Sequence, residues 1–140
     1  MSRIFWDTNL YIYLIEGRSS MAGQVETLRS KMLARGDQLL TSTLTLGEVL
    51  VKPITMGDLK LSAVYQNALT VSSVLIPFDV KAAGTYARLR SDRSLRATDA
   101  IQLACAASAG VDLFITNDAR LHGKQVAGIQ FIVPLDRVPI

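Results

Sequence analysis

Five short apolar runs punctuate this chain, and stretches long enough for helices separate them. The runs are Ile4–Trp6, Gln38–Ser42, Val74–Phe78, Leu113–Thr116 and Gln130–Val133, and each has the length and composition of a short strand. Strands separated by helices imply a mostly parallel sheet covered on both faces. The expected architecture is a three-layer α/β/α domain with a central sheet of about five strands. No repeat, low-complexity tract or linker divides the sequence, so a single domain over residues 1–140 is expected, long enough to bury a normal core.

The intervening stretches carry helix punctuation. A first helix is expected over Asn9–Glu16, stopped by Gly17, and a second over Met21–Arg35, with Ser20 as cap and Gly36 as stop. A short helix over Leu44–Val51 is closed by Lys52-Pro53, since proline removes a backbone donor. Asp58 caps a helix reaching about Ser72, Asp79 caps one reaching about Ser91, and the last runs from Thr98 to Gly110.

Composition excludes several chemistries. Apolar residues make up 49% and charged ones 19%, a packed globular balance rather than a disordered one. No apolar run approaches the ~18 residues of a membrane span, and the N-terminal run is too short for a secretion signal. The cytoplasm is the expected compartment. Cys105 and His122 are each the sole residue of their kind, which excludes an internal disulfide, a cysteine-built zinc site and a two-histidine nuclease. Acid–base or metal chemistry therefore falls to carboxylates.

Four acids interrupt or cap segments that read as core. Asp7 follows Ile4-Phe5-Trp6, Glu48 lies within Leu44–Val51, Asp99 opens Ala100–Ala109, and Asp118 ends Leu113–Thr116. Singly, each has a structural use. Asp7 can cap the first helix, and Glu48 can close a capping box with Thr45 or pair with Lys52. Asp99 can favour a helix dipole, and Asp118 can cap the turn Ala119-Arg120-Leu121. Together they are harder to dismiss. In a parallel α/β sheet, strand ends and helix N-termini gather at one edge, where ligands bind. Asp7 and Asp118 end strands, while Glu48 and Asp99 read as first-turn helix residues. Leu44 and Val51 on the same helical face draw Glu48 towards the interior. Two carboxylates ~4 Å apart repel by about 4 kcal/mol at an effective dielectric near 20, so a cluster requires protons, cationic partners or a metal. Hard oxygen donors favour Mg²⁺ or Mn²⁺ over zinc.

The ordered strings Phe5-Trp6-Asp7-Thr8-Asn9, Ser42-Thr43-Leu44-Thr45-Leu46-Gly47-Glu48-Val49, Ala97-Thr98-Asp99-Ala100-Ile101-Gln102-Leu103-Ala104 and Phe114-Ile115-Thr116-Asn117-Asp118 resemble the PIN-domain ribonucleases. They look most like the VapC toxin branch of toxin–antitoxin pairs, over essentially the whole chain. The family often has proline before the third acid and His or Gln shortly after it. Ala97-Thr98 and Gln102 stand there in this chain, a departure that leaves the acids intact. The resemblance implies that Asp7, Glu48, Asp99 and Asp118 hold Mg²⁺ or Mn²⁺, supported by Thr8, Asn9, Thr116 and Asn117. It further implies hydrolysis of RNA to 5′-phosphate and 3′-hydroxyl ends, a small antitoxin partner that covers the acidic pocket, and a toxin homodimer.

Net charge is +3, and with the four acids set aside 15 cationic side chains face 8 acidic ones. A basic body around an acidic pocket suits a polyanion. Arg93 and Arg96, in the loop before Asp99, are the first candidates for phosphate contacts. Arg88 and Arg90 fit a solvated helix face equally well, and Arg18 and Lys124 are further candidates. Tyr11 and Tyr13 could stack on bases but suit packing better. His122 belongs to a surface turn, Cys105 to helix packing. A response-regulator-like domain would need an adjacent acidic pair, and a haloacid-dehalogenase-type phosphatase an acid where Asn9 stands. The remaining alternative is a PIN-like protein that binds RNA or a partner without cutting it.

Overall fold

A computed structural model describes residues 1–140. The chain runs β1 (Arg3–Trp6), α1 (Thr8–Glu16), α2 (Ser20–Arg35), β2 (Gln38–Ser42), α3 (Thr43–Thr55) and α4 (Leu59–Ser72). It continues through β3 (Val74–Ile76), α5 (Val80–Leu89), α6 (Ala97–Ala109), β4 (Val111–Ile115) and β5 (Ile129–Val133). Single 3₁₀ turns lie at Ala119–Leu121 and Leu135–Arg137. All five strands are parallel, in the order β3-β2-β1-β4-β5, so the expected three-layer α/β/α architecture is the one found.

Side chains alternate across the strands and divide the core in two. Ile4, Trp6, Leu39, Leu113 and Ile115 point to the face covered by α1 to α4, where they meet Leu10, Val25, Leu28, Met32 and Val49. Phe5, Leu40 and Phe114 point to the other face, against Leu103, Cys105 and Ala106 of α6. Phe5 pairs with Phe114 in register, and their rings stack with centroids 5.0 Å apart. Strands buried on both faces read as continuous apolar runs, which is why these were visible in the sequence.

Several boundaries differ from expectation by one or two residues, the fourth strand for instance spanning Val111–Ile115, and three differences have a local cause or change a cap. The helix at Leu44 does not stop at Lys52-Pro53 but runs on to Thr55, with Pro53 buried in its last turn. Proline there forfeits one helix bond, yet Met56 N–H still reaches Lys52 O at 3.0 Å, so burial of the ring outweighs the lost donor. The third strand ends at Ile76 instead of Phe78, because Pro77 cannot donate to a ladder. Ser20 is the first residue of α2 rather than its cap; Ser19 holds that place without a side-chain bond.

The entry into β5 passes close to α6. Gly128 takes φ +98°, and a Cβ there would lie 2.5 Å from Ala107 O. Only glycine permits both that backbone conformation and that approach.

Candidate active site

The chain leaves the carboxyl end of β1 towards β2 and that of the neighbouring β4 towards β5, so the two connections diverge. Such a switch point opens a crevice beyond the strand ends. Asp7 stands at its floor. Its N–H extends the ladder to Ile115 O at 3.0 Å, which fixes the backbone at the sheet edge. Its carboxylate caps α1 through Thr8 N–H at 2.8 Å and accepts from Thr116 Oγ1 at 2.7 Å. The capping use and the site position are thus held by the same side chain.

Asp7, Glu48, Asp99 and Asp118 line one cavity of about 360 Å³, together with Thr8, Asn9, Tyr13, Arg96, Gln102 and Arg120. Asp99 comes from the first turn of α6, while Asp118 caps the 3₁₀ turn after β4. Glu48 corrects two expectations. It lies in the second turn of α3 and is exposed, as is Val51. The helix turns its Thr45 and Val49 side inward instead, and Glu48 reaches the cavity from the rim, accepting from Thr8 Oγ1 at 2.7 Å.

A buried polar network supports the floor. Gln102, one turn beyond Asp99 and 3% exposed, has Nε2 within reach of Thr45 Oγ1 (2.8 Å), Thr8 Oγ1 (3.0 Å) and Asp7 Oδ1 (3.3 Å). Three acceptors share its two protons, and its Oε1 accepts from Ser42 Oγ. Thr41 Oγ1 donates within the same network, with Trp6 O at 2.8 Å and Thr45 Oγ1 at 2.8 Å. A buried polar set of this kind is stable only when satisfied throughout, so it fixes the orientation of Asp7.

Burial raises the Asp7 pKa above the usual carboxylate value, opposed by the bonds from Thr116 and Thr8 and reinforced by the charges of Asp99 and Glu48. Asp118 is shifted the other way, chiefly by its hydrogen bond from Arg120. Arg120 Nε donates to Asp118 Oδ1 at 2.9 Å and Nη2 to Asp118 Oδ2, while Nη2 lies 3.5 Å from Asp99 Oδ2. Arg96 Nε lies 3.9 Å from the same Asp99 oxygen.

The donor set fits a hard divalent cation. Asp99 Oδ2 and Asn9 Oδ1 are buried acceptors with no hydrogen-bond partner, and both belong to residues lining this cavity. Orphaned buried oxygens of this kind are costly unless a cation or water completes them. No three carboxylates stand close enough to enclose an ion in the present arrangement. Asp118 and Glu48 are each held by a partner of their own, Arg120 and Thr8.

The other sequence candidates are dispersed. Asn9 Nδ2 donates to Thr116 Oγ1 at 3.3 Å, inside the site. Asn117 turns away, accepting from Leu135 N–H at 3.0 Å and so tying down the segment after β5. Arg93 and Arg88 are exposed outside the cavity, and Arg88 donates to Thr85 Oγ1 at 3.1 Å. Arg18 lines the adjoining groove with Ile15, Lys52 and Met56, and Lys124 pairs with Asp92 at 2.7 Å. Tyr11 is buried with its hydroxyl on Ser73, Cys105 is buried, and half-buried His122 contacts Thr116 O at 2.7 Å. Arg120 is the cavity residue that sequence reasoning missed. Its only signal was a cation two positions after the fourth acid.

Comparison with solved structures finds the same fold in toxin–antitoxin complexes. VapBC from Salmonella typhimurium, bound to DNA, matches at TM-score 0.72 and 18% identity over 96% of this chain and 99% of that one. VapBC2 from Rickettsia felis, bound to a promoter fragment, matches at 0.70 and 15%, over 94% and 98%. A toxin–antitoxin complex from Klebsiella pneumoniae matches at 0.63 and 23%, over 93% and 99%. No curated protein sequence matches significantly. The PIN domain profile matches residues 4–126, which takes in all six helices, β2 to β4, all but the first residue of β1 and every one of the four acids, and the chain belongs to the PIN-domain family.

Proposed function

We propose that this protein is a metal-dependent endoribonuclease, the toxin of a VapBC-type toxin–antitoxin pair, built as one PIN-like domain over residues 1–140. The observation that carries the reading is the meeting of Asp7, Glu48, Asp99 and Asp118 in one cavity where a buried Asp99 oxygen has no hydrogen-bond partner. In this reading the four carboxylates hold Mg²⁺, with Mn²⁺ able to replace it. A bound divalent ion supplies an activated water and offsets charge on the phosphate. Asp7 is held in place by Thr116, Thr8 and Gln102, and Asn9 offers a neutral oxygen beside it. Arg96, at the cavity wall, steers the RNA backbone, and Arg93, Arg88 and Arg18 extend the basic surface.

The neighbours in fold are complexes with antitoxins, which supports a cognate antitoxin here. An apolar groove lined by Ile12, Ile15, Val49, Pro53, Met56 and Tyr65 adjoins the acidic cavity, sharing Ile12 and Glu48 with it. Ile54, Met56, Leu59 and Val64 are exposed nearby on α3, α4 and the turn between them, a surface suited to a partner chain or a second copy in a homodimer. No helix is long and apolar enough to cross a membrane, and the cytoplasm remains the compartment we propose.

Incubation with mixed cellular RNA tests the reading against its non-cutting alternative. Cleavage that requires Mg²⁺ or Mn²⁺, stops in EDTA and falls to background in an Asp7→Asn/Asp99→Asn double variant supports the enzyme. Cleavage undiminished in EDTA or in that variant contradicts it, and RNA binding without cleavage favours the binding protein.

A further inference from the structure

Asp118 and Asp99 are already served by a cation. Both Asp118 oxygens are taken by the Arg120 fork, and Oδ1 accepts from the Arg120 backbone N–H as well, at 3.1 Å. The same Nη2 faces the orphaned Asp99 Oδ2 at 3.5 Å, too poorly placed to hydrogen-bond it. We propose that Arg120 is the resident counter-ion of the pocket in the ion-free protein, occupying the ground between Asp118 and Asp99 that a divalent ion takes, so that ion and guanidinium exclude one another. This rests on the reading of the cavity as a metal site.

Three features support exclusion over coexistence. A guanidinium fork takes the two syn lone pairs of a carboxylate, the pair that a chelated hard cation uses, and the Arg120 backbone N–H takes a further site on Oδ1. Arg120 is anchored two residues from Asp118, so it cannot diffuse away and lowers ion affinity by a fixed factor at every ion concentration. Its side chain is 45% exposed, so it can swing into solvent without opening the core. Arg96 provides the contrast. It lies 3.9 Å from Asp99 and makes no hydrogen bond to it, so it acts on an ion through charge alone.

Mn²⁺ titration of the full chain, read by the electron paramagnetic resonance of free Mn²⁺, tests this in the wild type, Arg120→Ala, Arg120→Lys and Arg96→Ala. Arg120→Ala binds Mn²⁺ about three- to tenfold more tightly than the wild type, the range for releasing a partly exposed, bidentate pair. Arg120→Lys falls between them, because it keeps the charge and loses the fork. Arg96→Ala gains less than Arg120→Ala. Wild-type Mn²⁺ binding that Arg120→Ala leaves unchanged, weakens, or strengthens no more than Arg96→Ala does overturns the proposal and leaves the metal site standing. Absence of Mn²⁺ binding in all four proteins overturns both. A second readout is the Arg120 Nε–H resonance, assigned by its loss in Arg120→Ala. It shifts towards a solvated position at saturating Mg²⁺, and a resonance that does not move contradicts displacement.

Discussion

Thr116 Oγ1 donates to Asp7 Oδ2 at 2.7 Å across 109 residues of sequence, joining the ends of the two neighbouring strands β4 and β1. The bond joins fold and chemistry, since it holds the most buried of the four acids in the orientation its cavity requires. Thr116→Val keeps the shape and removes the donor. It is expected to lower Mg²⁺ affinity or cleavage by about 10- to 100-fold, as removal of a partner behind a metal ligand does. Its cost to stability stays near 1–2 kcal/mol. Calorimetric Mg²⁺ titration and urea unfolding of the variant read the two effects separately.

Asp7 also links stability to pH. Its folded pKa is raised by burial, whereas in the unfolded chain it titrates near 3.8. The native state therefore holds the proton more tightly, and as pH rises from about 3.8 through the folded value the ionised group comes to oppose folding. Asp7→Asn removes that opposition. In EDTA the variant is expected to unfold at higher urea than the wild type at neutral pH, with the difference closing as pH falls towards 3.8. A difference of the same size at both ends of the range contradicts this account.

RNA affinity should follow Arg96 and Arg93. Glutamate at each position weakens binding and flattens its salt dependence by about one unit of log–log slope for every phosphate that is no longer neutralised. Filter binding from low to physiological salt measures both. Equal slopes for variant and wild type would remove these residues from the RNA path.

Gly128→Ala tests the packing of β5 on α6. The added methyl would meet Ala107 O at 2.5 Å from a backbone at φ +98°, so a destabilisation of about 2–3 kcal/mol is expected in thermal or urea unfolding. A change below about 0.5 kcal/mol would mean that the two elements separate easily.

Much of this was legible because strands buried on both faces leave unbroken apolar runs, and an acid at the end of such a run has to face the sheet edge. Asp7 and Asp118 were readable on that ground. Glu48 was brought to the right edge of the sheet but placed one helical turn too early and too deep. Leu44 and Val51 suggested an inward face, whereas tertiary packing turned Thr45 and Val49 inward and left Glu48 on the rim. Pro53 misled as a stop signal because burial of its ring outweighs one missing donor. Gln102 was noticed only as the residue standing shortly after the third acid. Its bonds with Asp7, Thr8, Thr45 and Ser42 depend on β1, α1 and α3 arriving from elsewhere in the chain. The pairing of Arg120 with Asp118 is local, two residues apart, whereas its approach to Asp99 arises only when the turn after Asp118 meets α6.

Anomalous diffraction from Mn²⁺-soaked crystals addresses the central claim most directly. The account predicts a Mn²⁺ peak in the cavity with oxygens of Asp7, Asp99 and Asp118 drawn in towards it and Glu48 turned to face it. Carboxylates that stay apart around an empty cavity at saturating Mn²⁺, or a peak bound elsewhere on the molecule, would contradict it.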